Sequence, residues 1–343
     1  MLRSLVYEAG DTIIYFGTIY GSCEKTVSYI TETTPATSHR IEFTYPISDN
    51  ELCGLFEQAI SSLKSAGKTP RLAIIDTITS LPGIRVPFAT LIRICREHNV
   101  LSCVDGAHGV GHLPLDLSSL DPDFFVSNCH KWLYTPRGCA IFYVPVRNQH
   151  LIRSSLPTSH GFVPKPVEGE QVINNPLPAS TKSAFVSLFE FVGTMDETAY
   201  LCIPAALEYR KNVICGALRG EEAIRKYCLR QAREAGQLMK HKFGTEILEN
   251  EEKSLGGCYF SNVRLPLSYR DLAQGDRPTA IKIAQWIAQT LVREYDTFIA
   301  IIFYDDAWWV RLSAQIYLTM DDWEKGAEIL VHICGRVNRK EWQ

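Results

Sequence analysis

Short, continuous apolar runs alternate with amphipathic stretches along the first part of this chain. A strand that is apolar at every position has no face to give to water. It has to be covered on both sides, which is the condition of a mostly parallel sheet sandwiched between helices. The runs at 11–17 (DTIIYFG), 40–47, 71–80 (RLAIIDTITS), 101–108, 123–132 and 139–145 predict strands. Between them, residues 51–67 and 87–100 carry apolar positions at helical spacing, the first ending on Gly67 as a helix stop. The fold class is therefore α/β. The pattern changes in the last third. Long amphipathic stretches at 223–244, 279–295 and 321–337 predict helices, and 256–266, 297–307 and 308–314 predict strands. This gives a second, smaller α+β unit, with the expected division at 1–205 and 206–343. The most loop-like segment, 166–180, is a candidate rim or lid.

Composition narrows the function classes. Of 343 residues, 46% are hydrophobic and 21% charged, and the net charge is −3. That balance excludes the basic footprint of a nucleic-acid or membrane-surface protein. No apolar run reaches the ~18 residues of a membrane span. The start, MLRSLVYEAGDTIIYFG, does not read as a signal peptide. Eleven cysteines are scattered with no CxxC pair. Such a set, with Cys95, Cys139 and Cys334 in apolar settings, predicts buried reduced thiols in a cytoplasmic protein and no metal site.

In open α/β sheets the ligand lies beyond the carboxyl ends of the strands. Three predicted strand ends carry conspicuous polar groups: Asp76 to Ser80, Asp105 to His108, and Ser127 to Lys131. If those strands are parallel neighbours, all three converge on one cleft. A lysine amine forms a Schiff base with an aldehyde. A carboxylate at a neighbouring strand end keeps a pyridine nitrogen protonated, so that the ring draws electrons. An aldehyde with a ring nitrogen and a phosphate is pyridoxal 5'-phosphate.

The stretch DGAHGVGHLPLDLSSLDPDFFVSNCHKWLYTPRGCAIFYV (105–144) resembles the cofactor segment of the class V, fold-type I pyridoxal-phosphate enzymes. That family includes cysteine desulfurases, isopenicillin N epimerase-like proteins and certain C–S lyases. FVGTMDET (191–198) is similar to its GTxD segment, and WVRLSAQIY (309–317) to its C-terminal arginine segment. The resemblance implies that Lys131 carries the cofactor and then moves a proton at Cα. It implies that Asp105 pairs with the ring nitrogen and that His108 packs on or beside the ring. Ser127 and His130 would bind the phosphate, with Thr194 reaching it from a neighbouring subunit. Arg311 would clamp the substrate carboxylate. Thr79 and Ser80 either bond the ring hydroxyl or cap their strand. A homodimer with shared sites is implied as well.

Two departures stand out. In the family a small Gly/Ala/Thr phosphate turn precedes the segment at which this chain begins, so one phosphate anchor is expected to be missing. Relatives also place a histidine over the ring where FGTIYGSCEKT (16–26) has Thr18. Tyr20 is then the candidate for stacking or proton work, or else a core or rim residue. As to the reaction, a cysteine desulfurase needs a nucleophilic cysteine on a mobile loop. Cys202 and Cys215 fall in helical patterns, and no cysteine lies just before Arg311. FGTIYGSCEKTVSYI, IDTITSLPGIRVPF and TSHGFVP look most like a fungal epimerase-like branch that includes C–S lyases cleaving a cysteine-sulfoxide conjugate of hercynine. His160, Phe162 and Tyr20 are the candidates for the far end of such a substrate. An aminotransferase or epimerase, with Arg137, Arg153 or Lys165 at the rim, remains open, as does a non-catalytic truncated paralogue.

Overall fold

The computed structural model describes the chain except residues 155, 159, 160, 166, 170–180 and 191. In chain order the first part runs β1 (Asp11–Phe16), α1 (Gly21–Thr33), β2 (Thr37–Ile41), α2 (Asp49–Ser65), β3 (Thr69–Asp76), α3 (Phe88–Glu97), β4 (Leu101–Asp105), α4 (Leu117–Leu120), β5 (Phe124–Asn128), α5 (Cys129–Trp132) and β6 (Ala140–Tyr143). These strands form one sheet in the order β2-β1-β3-β4-β5-β6. All neighbours pair in parallel except β5 and β6, which run antiparallel. Successive side chains on a strand point to opposite faces. Accordingly Ile14 and Phe16 of β1, with Ala73 and Ile75 of β3, pack under α2 and α3. Ile13, Tyr15, Leu72 and Ile74 face the other way, toward α1. That is why these strands are apolar throughout.

Short helices α6 (Val146–Gln149), α7 (Ala184–Glu190), α8 (Thr198–Leu201) and α9 (Ile203–Lys211) lead on to the two-residue strands β7 (Ile214–Cys215) and β8 (Leu218–Arg219). The last part holds α10 (Glu221–Phe243), β9 (Phe260–Arg264), α11 (Tyr269–Ala273), α12 (Arg277–Tyr295), β10 (Ala300–Tyr304), β11 (Ala307–Ser313) and α13 (Met320–Asn338). Its antiparallel sheet, in the order β10-β11-β9, buries Trp308, Val310 and Leu312 against α10, α12 and α13. The whole is a fold-type I arrangement: a mostly parallel sheet with helices, and a smaller sheet-and-helix part.

Several local expectations are corrected. The run at 123–132 is not one strand. It breaks after Asn128 into the four-residue helix α5, which carries Lys131. The run at 40–47 pairs over Thr37–Ile41 instead, and the ladder stops where its partner β1 ends, at Phe16 opposite Ile41. The strand expected from 256 begins at Phe260; before it, the N–H groups of Leu255 and Gly256 are taken up by the Glu249 carboxylate. Helix α2 starts at Asp49, where the Ser48 hydroxyl accepts from Glu51 N–H at 3.1 Å. Cys202 lies between α8 and α9 and Cys215 on β7, neither inside a helix. Most of the loop-like stretch 166–180 lies outside the described residues. Among the described residues, no helix is long and apolar enough to cross a membrane.

Candidate active site

The strand order reverses around β1, whose neighbours are β2 and β3. A crevice opens at such a switch point, beyond the carboxyl ends of the strands. Here it is a cavity of about 660 Å³, and Asp76, Asp105 and Lys131 all line it. Asp76 ends β3, Asp105 ends β4, and the two are register partners. Paired positions on parallel neighbours project to one face, so two carboxyl groups stand side by side. Asp76 is buried. Burial, reinforced by the Asp105 charge, pushes its carboxyl well above the usual range. Asp105 accepts from Ala107 N–H at 2.9 Å and from the Cys23 thiol at 3.4 Å.

Lys131 comes from α5, with its amine 3.4 Å from Nε2 of His108. Burial lowers the amine's pKa; Asp105 opposes that shift, and Arg311 adds to it. The buried His108 ring receives the Trp132 indole N–H on Nδ1 at 2.9 Å. Burial, aided by the charges of Lys131 and Arg311, drops its pKa to about 3, so this imidazole is neutral at ordinary pH. Next to it, His112 stacks on Tyr259 at 4.0 Å between centroids and takes the Tyr259 N–H on Nε2 at 2.6 Å.

A four-residue helix cannot hold itself together, because helix formation rewards only longer runs. The surroundings fix α5 instead. The carbonyl of Cys139 takes the Cys129 N–H at 3.0 Å. Arg210 is buried; it donates to the carbonyls of Trp132 and Gly111 and forks onto Glu221. Gly111 has φ +78°, and a Cβ there would lie 2.4 Å from the Trp132 carbonyl oxygen. The close approach of the two segments therefore needs glycine at that point.

The other sequence-derived candidates separate into groups. Tyr20, Ser80 and His130 line the cavity. Tyr20 is half exposed at the start of α1. His130 points Nδ1 at the Cys139 carbonyl, 3.1 Å away, so that nitrogen bears the proton and Nε2 faces the Asn128 amide. Ser127 is fully buried, and its hydroxyl bridges Gly106 O and Val110 N–H. The Thr79 hydroxyl is spent on the turn formed by Pro82 and Ile84. Thr194 is exposed between α7 and α8. His160 lies outside the described residues. Arg311 of β11 donates to the Ser80 carbonyl and stacks on Phe260 at 4.5 Å, while its Nε is a buried donor with no partner among the described residues. Such an orphaned guanidinium edge suits an incoming carboxylate.

Sequence reasoning put Asp76 at a strand end facing the cleft but gave it no role, and it passed over Cys23, Trp132, His112 and Arg210 as site residues. Asp76 had a readable signal, since it closes an apolar run as Asp105 does. Arg210 had none: it sits at the end of an ordinary helix, and only folding buries it.

The cavity fits pyridoxal phosphate. A half-buried lysine amine, a hydrogen-bonded carboxylate beside it and an arginine donor unpartnered among the described residues match the needs of an aldehyde, a ring nitrogen and an amino-acid carboxylate. Fold and donor set together define a fold-type I pyridoxal-phosphate enzyme. The aminotransferase class-V family profile matches residues 38–176. The L-cysteine desulfhydrase-like protein lolT1 of Epichloe uncinata is 36% identical over 99% of this chain and 78% of its own length. The hercynylcysteine sulfoxide lyase of Schizosaccharomyces pombe is 26% identical over 97% of this chain and 76% of its own. Among solved structures, the cystine C–S lyase C-DES, in complex with its product cysteine persulfide, superposes with a TM-score of 0.68. That match covers 98% of this chain and 77% of the other at 19% identity. The chain belongs to the class-V aminotransferase family of pyridoxal-phosphate-dependent enzymes, in its isopenicillin N epimerase-like branch.

Proposed function

We propose that the protein is a C–S lyase that breaks the Cβ–S bond of a cysteine S-conjugate, with a cysteine sulfoxide such as hercynylcysteine sulfoxide as the preferred substrate. Pyridoxal phosphate supplies an aldehyde that captures an amino group and a ring that weakens the bonds at Cα. Lys131 would hold that aldehyde through its amine and afterwards take the proton from Cα. Asp105 would keep the ring nitrogen protonated, with the Asp76 carboxyl, which burial makes harder to ionise, beside it. His130, on the cavity wall, would help to hold the phosphate. Ser127 and Thr79 act through the backbone that they brace. Arg311 receives the substrate carboxylate. Tyr20 and His160 are assigned to the far end of the substrate. Once the Cα proton is gone, the electron pair released there expels sulfur from Cβ. The three-carbon remainder takes up water and leaves as pyruvate and ammonia.

The observation that carries a lyase over a desulfurase is the state of the two cavity thiols, Cys23 and Cys103, both of which burial holds protonated. Cys23 donates its proton to Asp105, and burial pushes its pKa up to about 12. A desulfurase needs a thiolate to take the sulfur. The names of the relatives in Epichloe and Schizosaccharomyces support the same reading. Unpaired cysteines suit a reducing compartment, and we place the protein in the cytoplasm.

Protein loaded with pyridoxal phosphate is expected to absorb at roughly 410–430 nm, and Lys131→Ala to lose that band. Cysteine sulfoxide conjugates are expected to yield pyruvate with wild type and none with Lys131→Ala. Alanine formed with persulfide would point to a desulfurase, and inversion at Cα without pyruvate to an epimerase; either would overturn the lyase reading.

A further inference from the structure

Trp132 follows Lys131 in the chain, yet its ring belongs to the core of the smaller part of the molecule. It packs 4.3 Å from His112, 5.6 Å from Tyr259 and 5.5 Å from Phe260. Arg210 holds its carbonyl. The indole is therefore fixed from three sides, and its single polar atom is aimed at one place, Nδ1 of His108.

An indole N–H can only donate. The nitrogen that receives it must offer a lone pair. His108 Nδ1 therefore carries no proton, and in the neutral ring the proton sits on Nε2. That nitrogen faces Lys131 at 3.4 Å across the cavity wall.

We propose that Trp132 is a positioning residue that locks His108 in one tautomer, so that the ring turns Nε2–H, and never a lone pair, toward the unprotonated Lys131 amine and the cavity. This deepens the enzyme reading given above and rests on it for its catalytic meaning. Protonating His108 would place two N–H groups head to head in a buried site. The charged groups around the ring act in the same direction: Lys131 on α5 and Arg311 on β11 both disfavour a second positive charge. His112, buried and neutral, adds none. The consequence is chemical. An ordinary histidine 3.4 Å from the lysine would compete for the proton drawn from Cα. A ring locked as a donor cannot, so the proton stays with Lys131, and Nε2–H is left to serve an acceptor atom on whatever Lys131 holds.

The test uses cofactor-free protein with 15N-labelled histidine. Two-bond proton–nitrogen correlations report the tautomer, and His108→Gln identifies the resonance among the nine histidines. Wild type is expected to show the Nε2–H form from about pH 5 to 8, with no titration near the ordinary value of ~6.5. Trp132→Phe is expected to show mixed tautomers and a titration within about two units of that value. Should Trp132→Phe not fold, benzothienylalanine at position 132 keeps the ring shape and removes only the N–H. In the loaded enzyme, Trp132→Phe is expected to gain an acid limb in the visible band that the double variant with His108→Gln lacks. An Nδ1–H form in wild type, an unchanged tautomer in either replacement, or a limb that survives His108→Gln would each overturn the proposal. Failure of the cofactor reading shows up separately, as a missing visible band with the tautomer result intact.

Discussion

At the scale of single residues, the site is a set of groups held away from their ordinary protonation. Lys131 is shifted down and Asp76 up by the same cause, burial, and His108 is held neutral. The histidine gives a stability prediction with a definite sign. In the unfolded chain His108 titrates near ~6.5. In the fold its pKa is about 3. Between those values the unfolded state binds more protons, so acid favours unfolding there. The stability held above the upper value is progressively lost as pH falls toward the lower one. Asp76 works in the opposite sense, since its raised pKa lets the folded state bind a proton first. His108→Gln isolates the histidine. Its melting temperature is expected to fall less than that of wild type between pH 7 and 5, measured by circular dichroism. An equal fall would mean that His108 is not buried neutral. Of the residues read from the chain, Lys131, Asp105, His108, His130 and Ser80 all stand at the cavity. Their protonation was not readable, because burial is a property of the surroundings.

At the scale of elements, the telling feature is α5. The sequence reads through it as a strand, since Phe124, Phe125 and Val126 lead straight into Cys129 and Trp132 with no break signal. The helix exists because distant groups hold it: Gly111 from the turn after β4, and Arg210 from α9. Gly111→Ala must force a Cβ against the Trp132 carbonyl from a backbone conformation that alanine resists. A loss of about 2 kcal/mol or more is expected from strain alone. Arg210→Met leaves the buried Trp132 carbonyl without a donor, at about 1–3 kcal/mol, and takes the donor from the part-buried Gly111 carbonyl as well. Urea midpoints measure both. The visible band of the loaded enzyme should weaken along with them, since Lys131 rides on the same turn. Unchanged midpoints would mean that α5 stands without these supports.

At the scale of the molecule, the cavity and its arginine come from two cores. The large sheet supplies the carboxylates and Lys131, which line the cavity, while β11 brings Arg311 to the carbonyl of Ser80 on the cavity wall and β9 sets the Phe260 ring against that guanidinium. Asn262 of β9 ties the parts by pairing with both polar atoms of the Gly83 backbone, at 3.2 and 2.9 Å. Thr194, read as a phosphate ligand, is exposed on this chain. That fits a role in a second subunit's site, and the proposed homodimer should sediment at twice the mass of the chain. A single-chain mass in active protein would remove both the dimer and that role for Thr194. The sequence by itself determined the α/β class, the parallel sheet, the separate C-terminal elements and the cofactor chemistry. Each of these is written in local periodicity or in side chains that have few other uses. Tertiary structure alone decided that Asp76 and Asp105 are neighbours, that Lys131 sits on a helical turn, and that Trp132 and Arg210 govern it. Register, burial and close approach arise between segments far apart in the chain, and no local pattern encodes them.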